Sequence, residues 1–116
     1  MPSTGLRGPF NLTERSIDYN VTKTSAGAYA LDAEENDNTF TVHYVGRSDA
    51  DVNDRLKQHA RTGYYKRFKY EYYGSPKAAF EKECNLYHDF KNLDNEVHPA
   101  RPAGSGWKCP RCTLFN

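Results

Sequence analysis

The sequence is poor in cysteine and in apolar residues, and it contains no long hydrophobic run. Three cysteines in 116 residues form no even set for disulfides, so a reducing, cytoplasmic setting is expected. No apolar run reaches the length of a membrane-spanning helix and no signal peptide is recognised, so no membrane partner is expected. Only 37% of the residues are hydrophobic. Chemistry is therefore expected on an open face, because so small a core leaves little room for a large cavity.

The sequence also has no large excess of positive or of negative charge, since the formal net charge is +1. This value argues neither for nor against a nucleic-acid partner. A chain of 116 residues has the size of one domain with one core. Its parts are an N-terminal arm with a short helix (1–24), a domain (25–96) and a tail rich in Pro and Gly (97–116).

The first half of the chain predicts a helix followed by a hairpin. Residues 1–12 lack a regular pattern and are expected to form a loose arm, after which Thr13 can cap a helix. Short apolar and alternating runs predict two strands joined by a turn. The expected bounds are 14–21 for the helix, 28–31 and 39–46 for the strands and 35–38 for the turn.

The second half predicts two helices, one strand and an irregular end. Ser48 and Asp51 mark the start of a helix over 49–60, and Ser75 with Pro76 marks the start of the last helix, which runs to about residue 90. The segment 64–73 is expected to form a strand. Its core residues are expected to be Phe68, Tyr70 and Tyr72, with Lys66 and Lys69 outside. The expected fold is α+β, a small three-stranded antiparallel sheet flanked by helices.

The last predicted helix carries a carboxylate in an apolar stripe. Glu83 lies in line with Ala79, Leu86 and Phe90, at helical spacing. An ionised glutamate is costly to bury unless it is paired or holds a metal. Glu83 is therefore either an ion-paired residue at the edge of the stripe or a metal ligand. Glu81 points about 200° away from it at about 100° per residue, so only one of the two can face a site.

Arg55 and His59 share one face of the preceding helix, and Tyr29 and Tyr44 lie in the two hairpin strands. An arginine and a histidine on one face can bind a phosphate, although such a face more commonly meets only water. Strand tyrosines are usually packing residues. A functional interpretation requires all four side chains to converge on Glu83.

Two tyrosine motifs, Gly27-Ala28-Tyr29 and Tyr44-Val45-Gly46, precede the helix that carries Arg55 and His59. They resemble the GIY-YIG nuclease family, which has Gly-Ile-Tyr at the first motif and Tyr-Ile-Gly at the second. Arg47-Ser48 follows, and then Arg55-Leu56 and His59 resemble the Arg-Leu-x-x-His element of the family. Ala28 replaces a larger aliphatic residue, and the linker between the tyrosine motifs is a few residues longer than is common.

The last helix completes the resemblance. Ala79, Glu83, Asn85 and Leu86 resemble the helix that presents the metal-binding glutamate of the family, and Asn95 stands where the family often has an asparagine. Order and spacing agree over residues 27–95. The N-terminal arm and the tail resemble parts of small stand-alone bacterial or archaeal members.

The resemblance implies a DNA endonuclease that hydrolyses phosphodiester bonds. It implies one Mg²⁺ or Mn²⁺ held by Glu83, with Arg55 neutralising the transition state and His59 contacting the phosphate or orienting the nucleophile. A tyrosine would orient or deprotonate the water, and Tyr29 is preferred to Tyr44. Because a free tyrosine has a pKa near ~10, it needs positive charge nearby to act as a base.

Substrate contacts are expected at Arg47, Lys66, Lys69 and Asn95. A homodimer would let so small a nuclease cut both strands of DNA. Two alternatives stay open. One is a nucleic-acid-binding module that has the fold but does not cleave, and the other is a protein-interaction domain that uses the tail. Repair, recombination and defence are all open as the biological process.

The tail contains Trp107-Lys108-Cys109-Pro110-Arg111-Cys112, which resembles the first half of a Ran-binding-protein-type zinc finger. Structural zinc takes four ligands, and Cys109 and Cys112 supply two. His98 or a second chain would have to complete a zinc site, and His88 and Cys84, both on the helix, are less favoured. Otherwise the tail is expected to be a flexible, thiol-bearing end.

Overall fold

The fold is built from strand, helix, strand, strand, helix, strand and helix in chain order. The computed structural model describes residues 3–34 and 39–115. Within these residues four strands form one antiparallel sheet, with three helices beside it. The α+β class is therefore confirmed, whereas the predicted sheet is one strand short. The strands are β1 (Arg7–Asn11), β2 (Gly27–Asp32), β3 (Tyr44–Ser48) and β4 (Arg67–Tyr72), and the helices are α1 (Glu14–Asn20), α2 (Val52–Thr62) and α3 (Pro76–Asp89).

The additional strand, β1, comes from the arm that was expected to be irregular. It pairs with β4 and forms one edge of the sheet, whose strand order is β1-β4-β2-β3. Pro9 is tolerated because an edge strand leaves one side unpaired, and the register shifts between Arg7 and Phe10. The Phe10 and Phe68 ring centroids lie 5.5 Å apart. A long-range contact, which local sequence does not reveal, makes this segment a strand.

Helices cover both faces of the sheet, so β2 is buried along its whole length. Successive side chains of a strand point to opposite faces. Tyr29 and Leu31 pack into a cluster with residues of α1 and α2. Ala30, between them, packs on the other face with Val45 of β3 and Leu86 of α3. The edge strand β3 is consequently reached by α2 from one face and by α3 from the other.

The helix starts follow their capping residues. Thr13 caps α1 and Ser75 caps α3, as predicted, and each side chain accepts a bond from the backbone N–H three residues on. The helix α2 begins at Val52 and not at the predicted residue 49, because Asp51 is its cap. Ser48 Oγ accepts a bond from Asp51 N in a turn that precedes the helix. None of the helices in the described part of the chain combines the length and the apolar character needed to cross a bilayer.

The predicted hairpin of β2 and β3 is confirmed, but its second strand begins at Tyr44 and not at residue 39. The predicted turn at 35–38 lies outside the described residues. Ahead of β3, Thr41 donates its backbone N–H to the Asp32 carboxylate over 2.9 Å. This bond holds Thr41 to a side chain of β2, whereas His43 N, next to β3, donates to the Leu31 carbonyl oxygen over 2.8 Å.

Replacing Asp32 is expected to destabilise the fold, because this carboxylate is fully buried. It accepts bonds of 2.8–2.9 Å from the backbone N–H groups of Glu34 and Thr41 and from the Arg67 guanidinium. Asp32→Ala removes the acceptor of both backbone N–H groups and the carboxylate that pairs with Arg67, and breaking a buried ion pair in this way costs about 3–5 kcal/mol. Urea unfolding followed by circular dichroism measures the loss. Asp18→Ala, which removes an exposed ion pair, is the control, and equal midpoints for both variants would contradict the expectation.

Candidate active site

An open pocket of about 270 Å³ lies at the β3 edge of the sheet, between α2 and α3. Every residue predicted to be catalytic lines this pocket or, in the case of His59, lies within hydrogen-bond distance of a residue that lines it. Side chains that are far apart in the sequence therefore converge at one place. The lining residues are Tyr29, Tyr44, Gly46, Arg47, Asp49, Arg55, Glu83 and Ala100.

The glycines of the two tyrosine motifs are explained by close packing. A Cβ on Gly46 would lie 2.4 Å from the Tyr29 hydroxyl oxygen, so only glycine lets that ring reach the edge of the sheet. A Cβ on Gly27 would lie 2.7 Å from the Glu71 carbonyl oxygen and 2.9 Å from Val52 Cβ. Gly27 thus allows β2 to pack directly against the first residue of α2.

Tyr29 and His59 form a hydrogen-bonded pair, with 2.8 Å between Tyr29 Oη and His59 Nε2. Burial raises the pKa of Tyr29, and the nearby Arg55 charge offsets this only in part. Burial and then Arg55 lower the pKa of His59 to about 4. Near pH 7 the phenol therefore keeps its proton and the imidazole is neutral, and the two groups share one hydrogen bond. Positive charge was expected to lower the pKa of the tyrosine, but burial outweighs it.

Tyr44 and Arg55 complete the part of the pocket that faces α2. Tyr44 is half-buried, its ring centroid lies 5.1 Å from that of His59, and burial raises the pKa of its hydroxyl. Arg55 is exposed, and Gln58 Oε1 accepts one bond from its guanidinium over 2.7 Å. A guanidinium has five N–H donors, so Arg55 keeps donors for an anion in the pocket.

Glu83 is buried, and Arg47 pairs with it across the pocket. Arg47 Nη1 lies 2.7 Å from Glu83 Oε1, and Arg47 Nε lies 2.9 Å from Asp49 Oδ1. Burial raises the pKa of Glu83, and the bond and charge of Arg47 oppose that rise. The Arg47 guanidinium carbon also lies 5.0 Å from the centre of the Phe80 ring. Arg47 thus links β3 to α3 and holds two carboxylates at the same place.

The donor chemistry of this pocket fits a hard divalent cation. Glu83 and Asp49 both line it, and Mg²⁺ is usually held by one or two carboxylates with waters and phosphate oxygens. Glu83 uses Oε1 to bind Arg47, so its second oxygen is the atom that would face a cation. Asp49 was not predicted as a site residue. Its only signal is its position two residues after Arg47, which becomes informative once the fold places Arg47 in the pocket.

Three of the four residues predicted to contact substrate lie elsewhere. Asn95 Oδ1 accepts from Val45 N over 3.0 Å and Asn95 Nδ2 donates to Val45 O over 2.8 Å, so Asn95 extends the ladder at the edge of β3. Lys66 precedes β4 and Lys69 lies within it, and β2 separates β4 from β3. Of the four, only Arg47 lines the pocket.

The predicted orientation of β4 is largely confirmed. Phe68 and Tyr70 are buried in the core, and Tyr72 is half-buried against it. Lys66 is exposed, whereas Lys69 is half-buried with its Nζ 4.9 Å from the centre of the Phe40 ring. The strand therefore places its aromatic face inward, as the alternation of its residues indicated.

The low pKa of His59 predicts that acid destabilises the protein through this residue. An unfolded histidine has a pKa near ~6.5. Below that pH the unfolded state binds a proton at residue 59, whereas His59 in the folded protein stays neutral. The stability that neutral His59 contributes is thus present above pH ~6.5 and is lost as the pH falls toward about 4. His59→Gln should make the urea midpoints at pH 7.5 and pH 5 more nearly equal. An unchanged pH dependence in this variant would show that other groups carry it.

Comparisons of the chain with known protein families, with curated proteins and with solved structures give no match. The chemistry of the pocket is therefore inferred from its own residues.

Proposed function

We propose that this protein is a metal-dependent DNA endonuclease of the GIY-YIG type. The observation that carries the proposal is the convergence of a carboxylate, an arginine and a Tyr–His pair at one open sheet edge. Phosphodiester hydrolysis needs a cation ligand, a positive charge for the phosphate and an acceptor for the proton of water. Glu83 supplies the first, Arg55 the second, and Tyr29 with His59 the third.

Glu83, with Asp49 beside it, would hold Mg²⁺ or Mn²⁺. When bound, such an ion polarises the phosphate and stabilises charge on the departing 3′-oxygen. Arg55 donates to the non-bridging phosphate oxygens, where charge increases in the transition state. The Tyr44 hydroxyl, half-buried in the pocket wall, accepts a bond from the attacking water and orients it.

The Tyr29–His59 pair takes up the proton of the water. Tyr29 Oη receives that proton as its own proton passes to His59 Nε2, so the tyrosine ends neutral and the histidine becomes imidazolium. The negative charge of the bound phosphate offsets the charge of Arg55, which disfavours a protonated His59. The new P–O bond forms as the P–O3′ bond breaks, and the 3′-oxygen takes a proton from solvent.

The Arg47–Glu83 ion pair supports a second candidate, a nucleic-acid-binding module that does not cleave. The 2.7 Å bond satisfies Glu83 Oε1 with a protein cation. In that case the exposed Arg55 would bind a phosphate backbone and the exposed Tyr64 an unstacked base. This candidate predicts binding that weakens with salt and that needs no metal.

The nuclease proposal predicts an assembly of two chains, and the cysteines indicate the compartment. One pocket cuts one strand, so two copies of the chain would cut both strands of a duplex. Cys84, Cys109 and Cys112 form no disulfide, and we propose the cytoplasm because cysteines stay reduced there.

The deciding experiment is cleavage of labelled duplex, single-stranded and branched DNA in Mg²⁺, in Mn²⁺ and in EDTA. The proposal requires products with Mg²⁺ or Mn²⁺, none in EDTA, and none from a Glu83→Gln protein prepared in parallel. Equal cleavage by both proteins would indicate a contaminating nuclease. Salt-sensitive binding without cleavage of any substrate would replace the proposal with the binding module.

A further inference from the structure

Four side chains with metal-ligand chemistry meet where the tail returns to α3. Their ligand atoms all lie within 4.8 Å of one another, in the only such group of three or more His, Cys, Asp or Glu residues among those described. They come from the end of α3 and from two separate parts of the tail. The four residues are His88, His98, Cys109 and Cys112. His88 was not favoured as a partner of the cysteines, but folding of the tail brings it into the group.

The distances within this cluster agree with tetrahedral coordination. Zinc–nitrogen bonds of about 2.0–2.1 Å and zinc–sulfur bonds of about 2.3 Å place two nitrogens about 3.3 Å apart and a nitrogen and a sulfur about 3.6 Å apart. His88 Nε2 and His98 Nε2 are separated by 3.3 Å, and Cys112 Sγ and His98 Nε2 by 3.4 Å. The cluster therefore has nearly the spacing that one central zinc ion would impose.

Hydrogen bonds around the cluster prepare its atoms as ligands. His98 Nδ1 lies 2.9 Å from the Pro99 carbonyl oxygen, to which only a protonated nitrogen can donate. Nε2 of His98 therefore carries its lone pair toward the other ligands, and a second ring bond of this kind is usual for a metal-binding histidine. Arg111 N donates to Cys109 Sγ over 3.4 Å. A single lone pair on His98 cannot accept protons from both His88 and Cys112, whereas one cation satisfies all three atoms.

Geometry separates Cys109 from its neighbour Cys84. The Cys109 sulfur accepts a bond from Arg111 N and lies within 4.8 Å of the ligand atoms of His88, His98 and Cys112. Cys84 lies in the same apolar cluster as Cys109 but is not one of the four ligands.

We propose that His88, His98, Cys109 and Cys112 bind one zinc ion as a closed structural site. Two nitrogens and two thiolates are ligands that zinc prefers, and four protein ligands leave no open position for substrate. This metal is distinct from the cation proposed at Glu83, whose ligands are oxygens. The zinc site would hold residues 98–112 in contact with α3, because His88 lies on that helix and the other three ligands lie in the tail.

The packing around the site shows what zinc would stabilise. Trp107 stacks 5.5 Å from Phe80 of α3, and Phe115 lies 5.5 Å from the His98 ring. Phe80 in turn contacts Arg47, which pairs with Glu83. Zinc would therefore hold the apolar layer that supports the back of the pocket. Because Trp107 is the only tryptophan of the chain, its fluorescence reports on this layer.

The test uses the whole 116-residue chain, purified under reducing conditions and loaded with Zn²⁺. Metal content by atomic emission should be one zinc per chain, and a chelator should shift Trp107 fluorescence and expose the tail to protease. His88→Ala, His98→Ala and Cys112→Ser should each lower zinc affinity by more than the roughly 10–100-fold that loss of a residue supporting a ligand costs, because each removes a ligand itself. Cys84→Ser is the matched control, because it removes a neighbouring thiol that is not a ligand, and it should retain the zinc.

X-ray absorption at the zinc edge of the wild-type protein reads the ligands without any variant. Two sulfur and two nitrogen neighbours support the proposal, even where a histidine variant fails to fold. Four sulfur neighbours with half a zinc per chain would overturn it, because the cysteine pairs of two chains would then share the ion. The absence of bound zinc, or zinc that survives loss of both histidines, would overturn it as well.

Discussion

The Glu83→Gln protein is expected to lose DNA cleavage by about 1000-fold or more while remaining folded. A metal supplies several kcal/mol of charge stabilisation in the transition state, and about 4 kcal/mol corresponds to three powers of ten in rate. Glutamine keeps the shape of glutamate and an oxygen that can accept the Arg47 bond, so the packing of α3 should persist. Single-turnover cleavage at saturating Mg²⁺ measures the rate, and circular dichroism checks the fold.

The neighbouring Glu81 provides the matched control for this substitution. It lies on the same helix but lines a different surface, together with Lys77 and Trp107. Glu81→Gln should cleave at the wild-type rate. DNA affinity in EDTA, measured by fluorescence anisotropy, should be equal for both variants, because the expected defect is in metal-dependent chemistry. Wild-type cleavage by Glu83→Gln, or its loss in Glu81→Gln, would show that the wrong carboxylate has been assigned.

Gly46→Ala is expected to lower the free energy of unfolding by about 3 kcal/mol, the upper part of the range for overpacking a core. The added Cβ would lie 2.4 Å from Tyr29 Oη and 2.5 Å from Cζ of the same ring. Tyr29 is fully buried and cannot swing into solvent. The ring must shift, which breaks its 2.8 Å bond to His59. Urea unfolding measures the loss of stability.

The same substitution should reduce cleavage by about 100-fold under conditions where the protein is folded, since a shift of about 1 Å in a positioned group has an effect of that size. Gly74→Ala is the control, because a Cβ at Gly74 meets no atom within 4 Å. That variant should match the wild type in stability and in rate. Equal stability of the two alanine variants would mean that Tyr29 is less constrained than its burial indicates.

Much of the local structure could be predicted from residues close together in the chain. Thr13 and Ser75 cap α1 and α3 as expected, because a cap depends only on the next three residues. The hairpin of β2 and β3 follows from short apolar and alternating runs. The apolar stripe of α3 likewise placed Glu83 in line with Ala79 and Leu86, both of which are buried, because helical periodicity is a local property.

Features that depend on distant partners could not be predicted in this way. β1 is a strand only because β4 offers it an edge, and its own residues, with Gly8 and Pro9, argue against one. Asn95 stands where a functional asparagine was expected, yet both ends of its amide bond to the Val45 backbone. Asp49 gives no signal by itself and becomes a site residue only because Arg47 turns toward α3.

The sequence by itself determined which side chains were available for chemistry and, through their spacing, which of them would share an element. Tertiary structure decided their environments: burial holds the proton on Tyr29 against the charge of Arg55, whereas burial and Arg55 together keep His59 neutral. It also brought His88 to Cys109 and Cys112. The physical reason is that periodicity and capping act over a few residues, whereas burial and ligand geometry depend on segments that meet only after the chain has folded.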